Sequence, residues 1–273
     1  MKSTNRDDYQ TISRPVGAMA KEFERGAVSG LHRHPRAQLL YAPVGVMEIR
    51  VGNRSWFASP HRAMWIPAEC EHEVHFKTAT SVRTLYVDPA SLPAGAGALP
   101  GTIDVTSLLR ELILRAVEMP VEYDAAGRDG QIASLALAEI EWSTARPLVL
   151  PVLSDTRLLA MQRELEQTPS DPRTLEQWAS ALNSSVRTLA RAFRAQAGMT
   201  FGQWRQHMRV HAALPRLASG EPVTTVALDL GYDSASAFAA VFRRIMGVVP
   251  SRYFQTEHEP RTDHRRAGTL RIM

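Results

Sequence analysis

Three arginines in the stretch SSVRTLARAFRAQAG, residues 184–198, stand at spacings of four and three: Arg187, Arg191 and Arg194. On a helix this spacing places the three guanidinium groups along one face. Apolar residues occupy a different face, which we expect to be buried: Val186, Leu189, Phe193 and Ala197. An arginine that donates two hydrogen bonds to guanine is the commonest specific contact in the DNA major groove, so this helix indicates nucleic-acid recognition. For Arg191 alone, the alternative is a solvated surface charge.

Histidines form a second group of residues whose side chains can act as ligands. His32 and His34 are two positions apart, which on a strand points both imidazoles to one side, and His72 follows much later. Three neutral imidazoles suit Zn²⁺, Ni²⁺ or Fe²⁺. Alternatively, the three side chains line a ligand pocket without metal or are exposed.

Composition indicates a soluble protein without disulfides. The chain has 273 residues, 44% hydrophobic and 22% charged, enough for one large domain or two ordinary ones. Its single cysteine, Cys70, excludes an intramolecular disulfide. No apolar run approaches the ~20 residues of a membrane helix, and the polar start MKSTNRDDYQ differs from a signal peptide. We therefore expect a cytoplasmic protein with no membrane partner.

Charge is unevenly distributed. Residues 1–154 carry a net charge of −1 and residues 155–273 a net charge of +5, counting Lys and Arg against Asp and Glu. A neutral front part and a basic back part support an arrangement in which the back part binds a polyanion and the front part binds something else. Arginine supplies 29 of the 32 cationic side chains, which weakens the inference from any single arginine.

Turn residues and periodicity divide the chain into parts. Residues 15–88 alternate short β-rich runs with turns, including a hairpin-like VGN at 51–53, and predict a small barrel or sandwich. Amphipathic patterns predict helices at 106–119 and 129–145, followed by a proline-punctuated linker at 146–153. We predict four regions: a sensor domain at 1–100, a helical segment and linker at 101–153, a helical domain at 154–256 and a disordered tail at 257–273.

The helical domain contains one pattern twice, at 174–204 and 222–254. Each copy has an apolar-patterned helix, a tight polar connection and a second helix that begins at a serine N-cap, Ser185 or Ser234. This plan is the helix-turn-helix motif, whose second helix lies in the DNA major groove. The alternative is an internally duplicated helical bundle that binds no nucleic acid.

Residues 155–255 resemble the DNA-binding domain of the AraC/XylS family of bacterial transcription regulators. The resemblance is carried by SVRTLARAFRAQAG, by MRVHAAL and above all by VTTVALDLGYDSASAFAAVFRRIMGVVPSRYF. It implies seven helices, with a long helix at about 201–218 that holds two DNA-contacting units, the first and second heads, one DNA turn apart. Pro215 lies within this long helix and should kink it. We assign DNA-contacting residues to both heads: Ser185, Arg187, Thr188, Ala190, Arg191 and Arg194 in the first, and Ser234, Ala235, Ser236, Ala239, Ala240 and Arg243 in the second.

The two heads offer different chemistry. In the first, Arg187 and Arg191 match base-facing positions of the family, while Arg194 lies further along and suits phosphate. The second presents mainly alanines, which can contact a thymine methyl group but cannot read a hydrogen-bond pattern. We expect the first head to carry most of the sequence discrimination and the second mainly to hold the DNA backbone.

The front part resembles the cupin barrel in two motifs, through Gly26, His32, His34 and Gly45 and then through Pro67 and His72. Cupins often bind a divalent metal through three histidines and a glutamate, and here Gln38 stands at the glutamate position. Glu69 and Phe76 stand where glycine and asparagine are usual. Gln38 is a poor fourth ligand, so a bound metal would be held more weakly.

AraC-type regulators commonly carry such a front domain for an effector, followed by a helical pair that dimerises. The resemblance therefore implies a small-molecule or metal effector and a homodimer formed through 106–145; simple packing of these helices on the barrel is the alternative. The predicted fold class is α+β, with a cupin-like β-barrel and helical pair before an all-α domain with two helix-turn-helix motifs. The predicted function is effector-responsive binding of double-stranded promoter DNA, without catalysis.

Two other functions compete with this interpretation. A metal-dependent cupin enzyme, an oxygenase or isomerase with an appended helical domain, is disfavoured by Gln38 and by the lack of an obvious base beside the histidines. An architectural DNA-binding protein would leave the barrel without a role. The sequence contains no phosphate-binding glycine loop, no Gly-x-Ser-x-Gly turn and no His-Glu-x-x-His pair.

Overall fold

The front part of the molecule consists of two antiparallel sheets packed against each other. This computed structural model describes residues 2–142, 150–151 and 153–254. One sheet has the strand order β1-β7-β2-β5-β8 and the other β6-β3-β4-β9. The strands are β1 Val16–Phe23, β2 Ala37–Val44, β3 Met47–Val51, β4 Arg54–Ala58, β5 Arg62–Ile66, β6 Glu73–Phe76, β7 Thr80–Val87, β8 Gly101–Asp104 and β9 Leu150–Pro151.

Strand alternation sorts the side chains between the space enclosed by the sheets and their outer faces. On β1, Met19, Lys21 and Phe23 point inward, where the interior cavity reaches all three. The predicted hairpin at 51–53 is confirmed, because β3 and β4 are joined by two residues, the first of which is Gly52 with φ 54°. A positive φ at this turn position favours glycine.

Two helices cover the outer face of the five-stranded sheet: α1 Ser107–Ala116 and α2 Arg128–Ala138. They share one core with that sheet, including Leu109 and Ile113 from α1 and Leu39 and Leu85 from the strands. Both helices are shorter than predicted. The expected helix at 129–145 ends at Ala138, and residues 143–145 lie outside the described residues.

The early end of α2 has a packing cause. Ile140 is buried, and the ring of Trp142 meets that of Trp65 edge-on with centroids 4.8 Å apart. These apolar side chains continue the helical periodicity in the sequence, but the structure buries them on a non-helical segment. Of the predicted linker at 146–153, Leu150–Pro151 forms β9, which pairs with β4.

The back part contains seven helices among the described residues, as predicted. They are α3 Thr156–Gln167, α4 Leu175–Ala181, α5 Val186–Ala197, α6 Phe201–Ala218, α7 Val223–Asp229, α8 Ala235–Met246 and α9 Pro250–Tyr253. Pro215 lies inside α6, and the helix continues beyond it to Ala218. The predicted tail at 257–273 lies outside the described residues.

The back part docks on the four-stranded sheet and on β5. Tyr253 Oη lies 2.6 Å from Ser59 Oγ, and Arg62 Nη2 donates to the backbone oxygen of Met246 over 3.3 Å. Phe57 on β4 contacts the His211 ring, with centroids 4.4 Å apart. The hydrophobic core around α7 and α8 also includes Phe57, so it extends across the junction between the two parts.

His211 makes this junction sensitive to acid. Burial lowers the pKa of His211 to about 3, helped by nearby His207 and Lys77 and opposed by Glu48. Its Nε2 atom is buried and has no hydrogen-bond partner among the described residues. The folded protein therefore holds His211 neutral, whereas the unfolded chain protonates it near its ordinary value of ~6.5.

Stability should consequently fall as the pH drops below 6.5, because the unfolded chain binds the extra proton more readily. For His211 alone, the free energy of unfolding should decrease by about 2 kcal/mol between pH 7 and pH 5. The His211→Leu variant, which also removes the unpaired Nε2, should lose that part of the pH dependence. Urea unfolding at pH 5, 6 and 7 measures both proteins, and an unchanged pH slope in the variant would contradict this assignment.

Candidate DNA-reading helices and effector cavity

Helix α5 is fixed at both ends and along its apolar side. Ser185 Oγ accepts from the backbone N–H of Thr188 at 3.1 Å, and Gly198 ends the helix with φ 67°. Leu189, Phe193 and Ala197 are buried as predicted. The prediction for Val186 was wrong: it is 37% exposed, because it is the first residue of the helix and lies beyond the core that covers Leu189.

The predicted DNA-reading residues of α5 lie on its accessible side. Ser185, Arg187, Arg191 and Arg194 are exposed, and Thr188 and Ala190 are half-buried. Within the described part of the chain, none of these three arginines has an acidic side chain within 4.0 Å. Other arginines of the same domain do: Arg157 with Asp155 at 2.7 Å, Arg173 with Asp171 and Glu164 at 2.5 Å, and Arg216 with Glu221 at 2.6 Å.

Helix α8 has a serine N-cap and a buried apolar side like those of α5, but its exposed side carries different residues. Ser234 Oγ caps it by accepting from the N–H of Ala237 at 3.2 Å, while Phe238 and Phe242 anchor its buried side. The predicted contact residues are accessible: Ser234, Ser236, Ala240 and Arg243 are exposed, and Ala235 and Ala239 are half-buried. Small side chains therefore cover most of this face, and Arg243 supplies its charge near the helix end.

Two arginines outside the predicted set connect the two helix-turn-helix motifs. Arg209 on α6 is buried, donates to the backbone oxygens of Pro169 at 2.8 Å and Gly231 at 3.1 Å, and packs on the Tyr232 ring. Arg244 on α8 donates to Gln206 Oε1 on α6 at 2.5 Å. The sequence signals them only weakly, because neither lies on the periodic face of a reading helix.

The three predicted histidines come together beside the cavity enclosed by the sheets. One ring nitrogen from each lies within 4.8 Å of those of the other two. Each Nδ1 faces a backbone carbonyl oxygen: 2.8 Å for His32 to Gly30, 2.5 Å for His34 to Arg36 and 2.9 Å for His72 to Cys70. Since a carbonyl only accepts, each Nδ1 carries a proton, and in the neutral form of such a ring the lone pair lies on Nε2.

Those lone pairs are poorly satisfied by the protein itself. His72 Nε2 is buried and has no hydrogen-bond partner among the described residues. His34 Nε2 lies 3.2 Å from Gln38 Oε1, while the Gln38 amide nitrogen donates to Thr84 Oγ1 at 2.9 Å. In the neutral tautomer with the proton on Nδ1, His34 Nε2 and Gln38 Oε1 are two acceptors that face each other. Burial lowers the pKa of His72 to about 4, so this imidazole is neutral at pH 7.

The cavity beside the histidines has a volume of about 450 Å³. His32, His72 and Gln38 line it together with apolar side chains from both sheets. Phe23 and Phe76 stack there with ring centroids 3.9 Å apart, and Phe76 is the residue found at the usual cupin asparagine position. His75, the next histidine along β6, is hydrogen-bonded to Glu73 instead and lies outside the cluster.

Comparison with known proteins agrees with this geometry. Residues 178–256 match the family described as "Helix-turn-helix domain", and residues 23–140 match "AraC-like ligand binding domain". The chain is 31% identical over 256 residues to the HTH-type transcriptional regulator NimR of Escherichia coli (strain K12), covering 93% of each protein. The chain belongs to the AraC family of transcriptional regulators. A further relative is the HTH-type transcriptional activator RhaR of Klebsiella pneumoniae, 24% identical over 250 residues, with 82% of this chain and 86% of the relative covered.

A solved structure covers a similar share of this AraC-family chain. The crystal structure of ToxT from Vibrio cholerae superposes with a TM-score of 0.37 and 11% identity, covering 88% of this chain and 97% of that one. Family membership confirms the predicted two-part fold and the predicted transcriptional regulator with a front ligand-binding domain, in place of an enzyme. None of the described helices is long and apolar enough to cross a membrane.

Proposed function

We propose that this AraC-family regulator acts in the bacterial cytoplasm and discriminates promoter sequences chiefly through α5, under the control of an effector bound in its cupin-like front domain. The observation that carries this proposal is the contrast among the arginines. Arg157, Arg173 and Arg216 are held by acidic side chains, whereas Arg187 and Arg191 on α5 are exposed without such partners in the described part of the chain.

The surfaces of the two reading helices support an unequal division of labour. A guanidinium group can donate two hydrogen bonds to guanine, worth about 1–3 kcal/mol of discrimination per base pair. Ala239 and Ala240 on α8 lack any side-chain donor or acceptor, so α8 contributes apolar contacts and backbone contacts through Arg243. Phosphate contacts release counterions, so overall affinity should fall steeply with salt.

Replacement of Arg191 by alanine should weaken specific DNA binding by about 1–3 kcal/mol and relax the preference at one base pair. Gel-shift titrations on the promoter fragment, with every operator position substituted in turn, measure both effects. Operator changes opposite α5 should cost more than those opposite α8. Equal sensitivity of the two half-sites would contradict the division of labour.

Arg163 provides the matched control for this experiment. It is exposed on α3, outside both reading helices, and Arg163→Ala removes the same charge. This variant should keep the base preference of the wild type at every operator position. Loss of discrimination in both variants would show that general charge, and not base contact by Arg191, governs recognition.

The histidine cluster is suited to a divalent metal. His32, His34 and His72 would hold the ion through Nε2, with Gln38 Oε1 as a weak neutral fourth ligand. A cation there would be coordinated by the unpaired Nε2 of His72 and by the facing acceptor atoms His34 Nε2 and Gln38 Oε1. Zn²⁺, Ni²⁺ and Fe²⁺ are the ions that such imidazoles favour, and a bound ion would supply a positive charge at one end of the cavity.

Metal titration followed by calorimetry should show one Zn²⁺ or Ni²⁺ bound per chain, and His34→Ala should abolish that binding. The Gln38→Glu variant should bind more tightly, because it adds the anionic ligand that the site lacks. His75→Ala is the control and should bind like the wild type, since His75 is paired with Glu73 outside the cluster. No binding by wild type or Gln38→Glu would leave the histidines as walls of a metal-free pocket.

The helical pair is proposed as the homodimer surface. One side of α1 and α2 packs on the five-stranded sheet, while Leu108 remains 49% exposed and Leu135 47% exposed on these helices. Solvent-exposed large apolar side chains on neighbouring helices favour association with a second copy.

Sedimentation equilibrium should find a dimer for the wild type and a monomer for the Leu108→Glu/Leu135→Glu variant. Leu99 is 79% exposed but lies outside these helices, so Leu99→Glu should remain dimeric. A monomeric wild type, or dissociation caused equally by Leu99→Glu, would argue against this surface.

A further inference from the structure

Lys21 is a cationic side chain in the cavity wall, and no ion pair with an acidic side chain of the described residues accounts for its position there. It lies in the middle of β1, between Met19 and Phe23 on the inward-facing side of the strand. Neither of the other two lysines lines the cavity, and Lys77 is paired with Glu48 at 2.6 Å. Lys21 has no acidic side chain within 4.0 Å in the described parts of the chain, and its Nζ lies 5.2 Å from the centroid of the Phe23 ring.

The neighbouring charges show that this arrangement is specific to the inner face. Glu22, the next residue on β1, points outward and is bound by Arg83 of β7 at 3.0 Å. Lys21 pairs in register with Val82, an inward-facing residue of the same β7 strand. The outer surface of this strand pair is therefore neutralised, while its inner surface presents an uncompensated ammonium group to the cavity.

The rest of the cavity adds little negative charge. His32, His72 and Gln38 line it and none of them is an anion, so a metal ion held there would make the interior still more positive. Asp7 also lines the cavity, but it lies 3.8 Å from Arg6, another lining residue, which offsets it. With or without metal, the charged side chains that line the cavity (Lys21, Arg6 and Asp7) carry a net positive charge.

We propose that the effector is a small organic acid whose carboxylate pairs with Lys21 and whose apolar body packs on the stacked rings of Phe23 and Phe76. This inference rests on the proposed function, because it names the chemical class of the ligand that the front domain senses. The two rings are stacked with centroids 3.9 Å apart, and both line the cavity near the ammonium group. The cavity volume of about 450 Å³ is in the range of small-molecule sites.

A comparison of organic acids with their neutral amides distinguishes recognition of the carboxylate charge from simple filling of the cavity by an apolar group. Thermal unfolding of the full-length protein should be followed with benzoate, benzamide, hexanoate, hexanamide and inorganic phosphate, each with Zn²⁺-loaded and EDTA-treated protein. At least one organic acid should raise the melting temperature, whereas its amide and phosphate at equal concentration should not. Stabilisation in both metal states places the carboxylate on Lys21, and stabilisation that needs Zn²⁺ places it on the metal and overturns the role of Lys21.

The variant that tests Lys21 has a charge-matched control on the same strand pair. Lys21→Met should weaken binding of the active acid by about tenfold or more in calorimetry, and Lys21→Gln, which keeps a polar side chain, serves if the methionine variant is unstable. Arg83→Met removes the same charge from the outer face and should bind the acid like the wild type. Equal loss in Arg83→Met, or no loss in either Lys21 variant, would overturn the proposal.

The outcome separates this inference from the function on which it rests. If no acid stabilises the protein, or if amides do so equally, the organic-acid assignment is wrong. Specific promoter binding in the same preparation would then show that the regulator itself remains correctly identified. If acids bind but no promoter fragment is recognised, the DNA-reading proposal fails while the ligand assignment stands.

Discussion

The arrangement of the DNA-reading surface depends on α6, because this helix is buried in two hydrophobic cores at once. Its first half, with Trp204 and Met208, packs with Phe193 of α5, and its second half, with Leu214, packs with Phe242 of α8. A helix is a stiff element, so sharing it holds the two recognition helices at a defined separation. Arg209, which lies between the two cores on α6, reinforces this by donating to backbone oxygens on both sides.

The four-stranded sheet borders the cavity with one face and contacts α6 and the core around α7 and α8 with the other. Met47 and Phe76 face the interior, while their strand neighbours Glu48 and Phe57 face the opposite way, toward His211. His72 immediately precedes β6, the edge strand of the same sheet. A ligand that shifts β6 or β3 therefore acts on residues whose backbone neighbours contact the DNA-binding part. Such continuity is the physical requirement for coupling between the two sites.

Local chemistry allowed much of this architecture to be predicted, whereas long-range packing did not. The serine caps of α5 and α8 are visible in the sequence because an N-cap acts within three residues. The convergence of His32 with His72 required the cupin resemblance, since strand pairing across forty residues leaves no periodic signal. The exposure of Val186, the early end of α2 and the contact of Tyr253 with Ser59 were all missed, because each depends on which distant surface covers the segment.

Arginine illustrates the same limit and how the structure overcomes it. In a chain with 29 arginines among 32 cationic side chains, the residue type alone does not separate a base-reading group from a structural one. The structure narrows the candidates, because it shows which arginines are already paired internally. Arg173 stacks on Trp178 at 3.5 Å and binds Asp171, and Arg209 is buried among carbonyl oxygens, so the hydrogen-bonding capacity of both is used internally. Arg187 and Arg191 keep theirs for solvent or a ligand. Because a guanidinium group stays charged at any pH of interest, an exposed row of such groups on a rigid helix is poised for a polyanion.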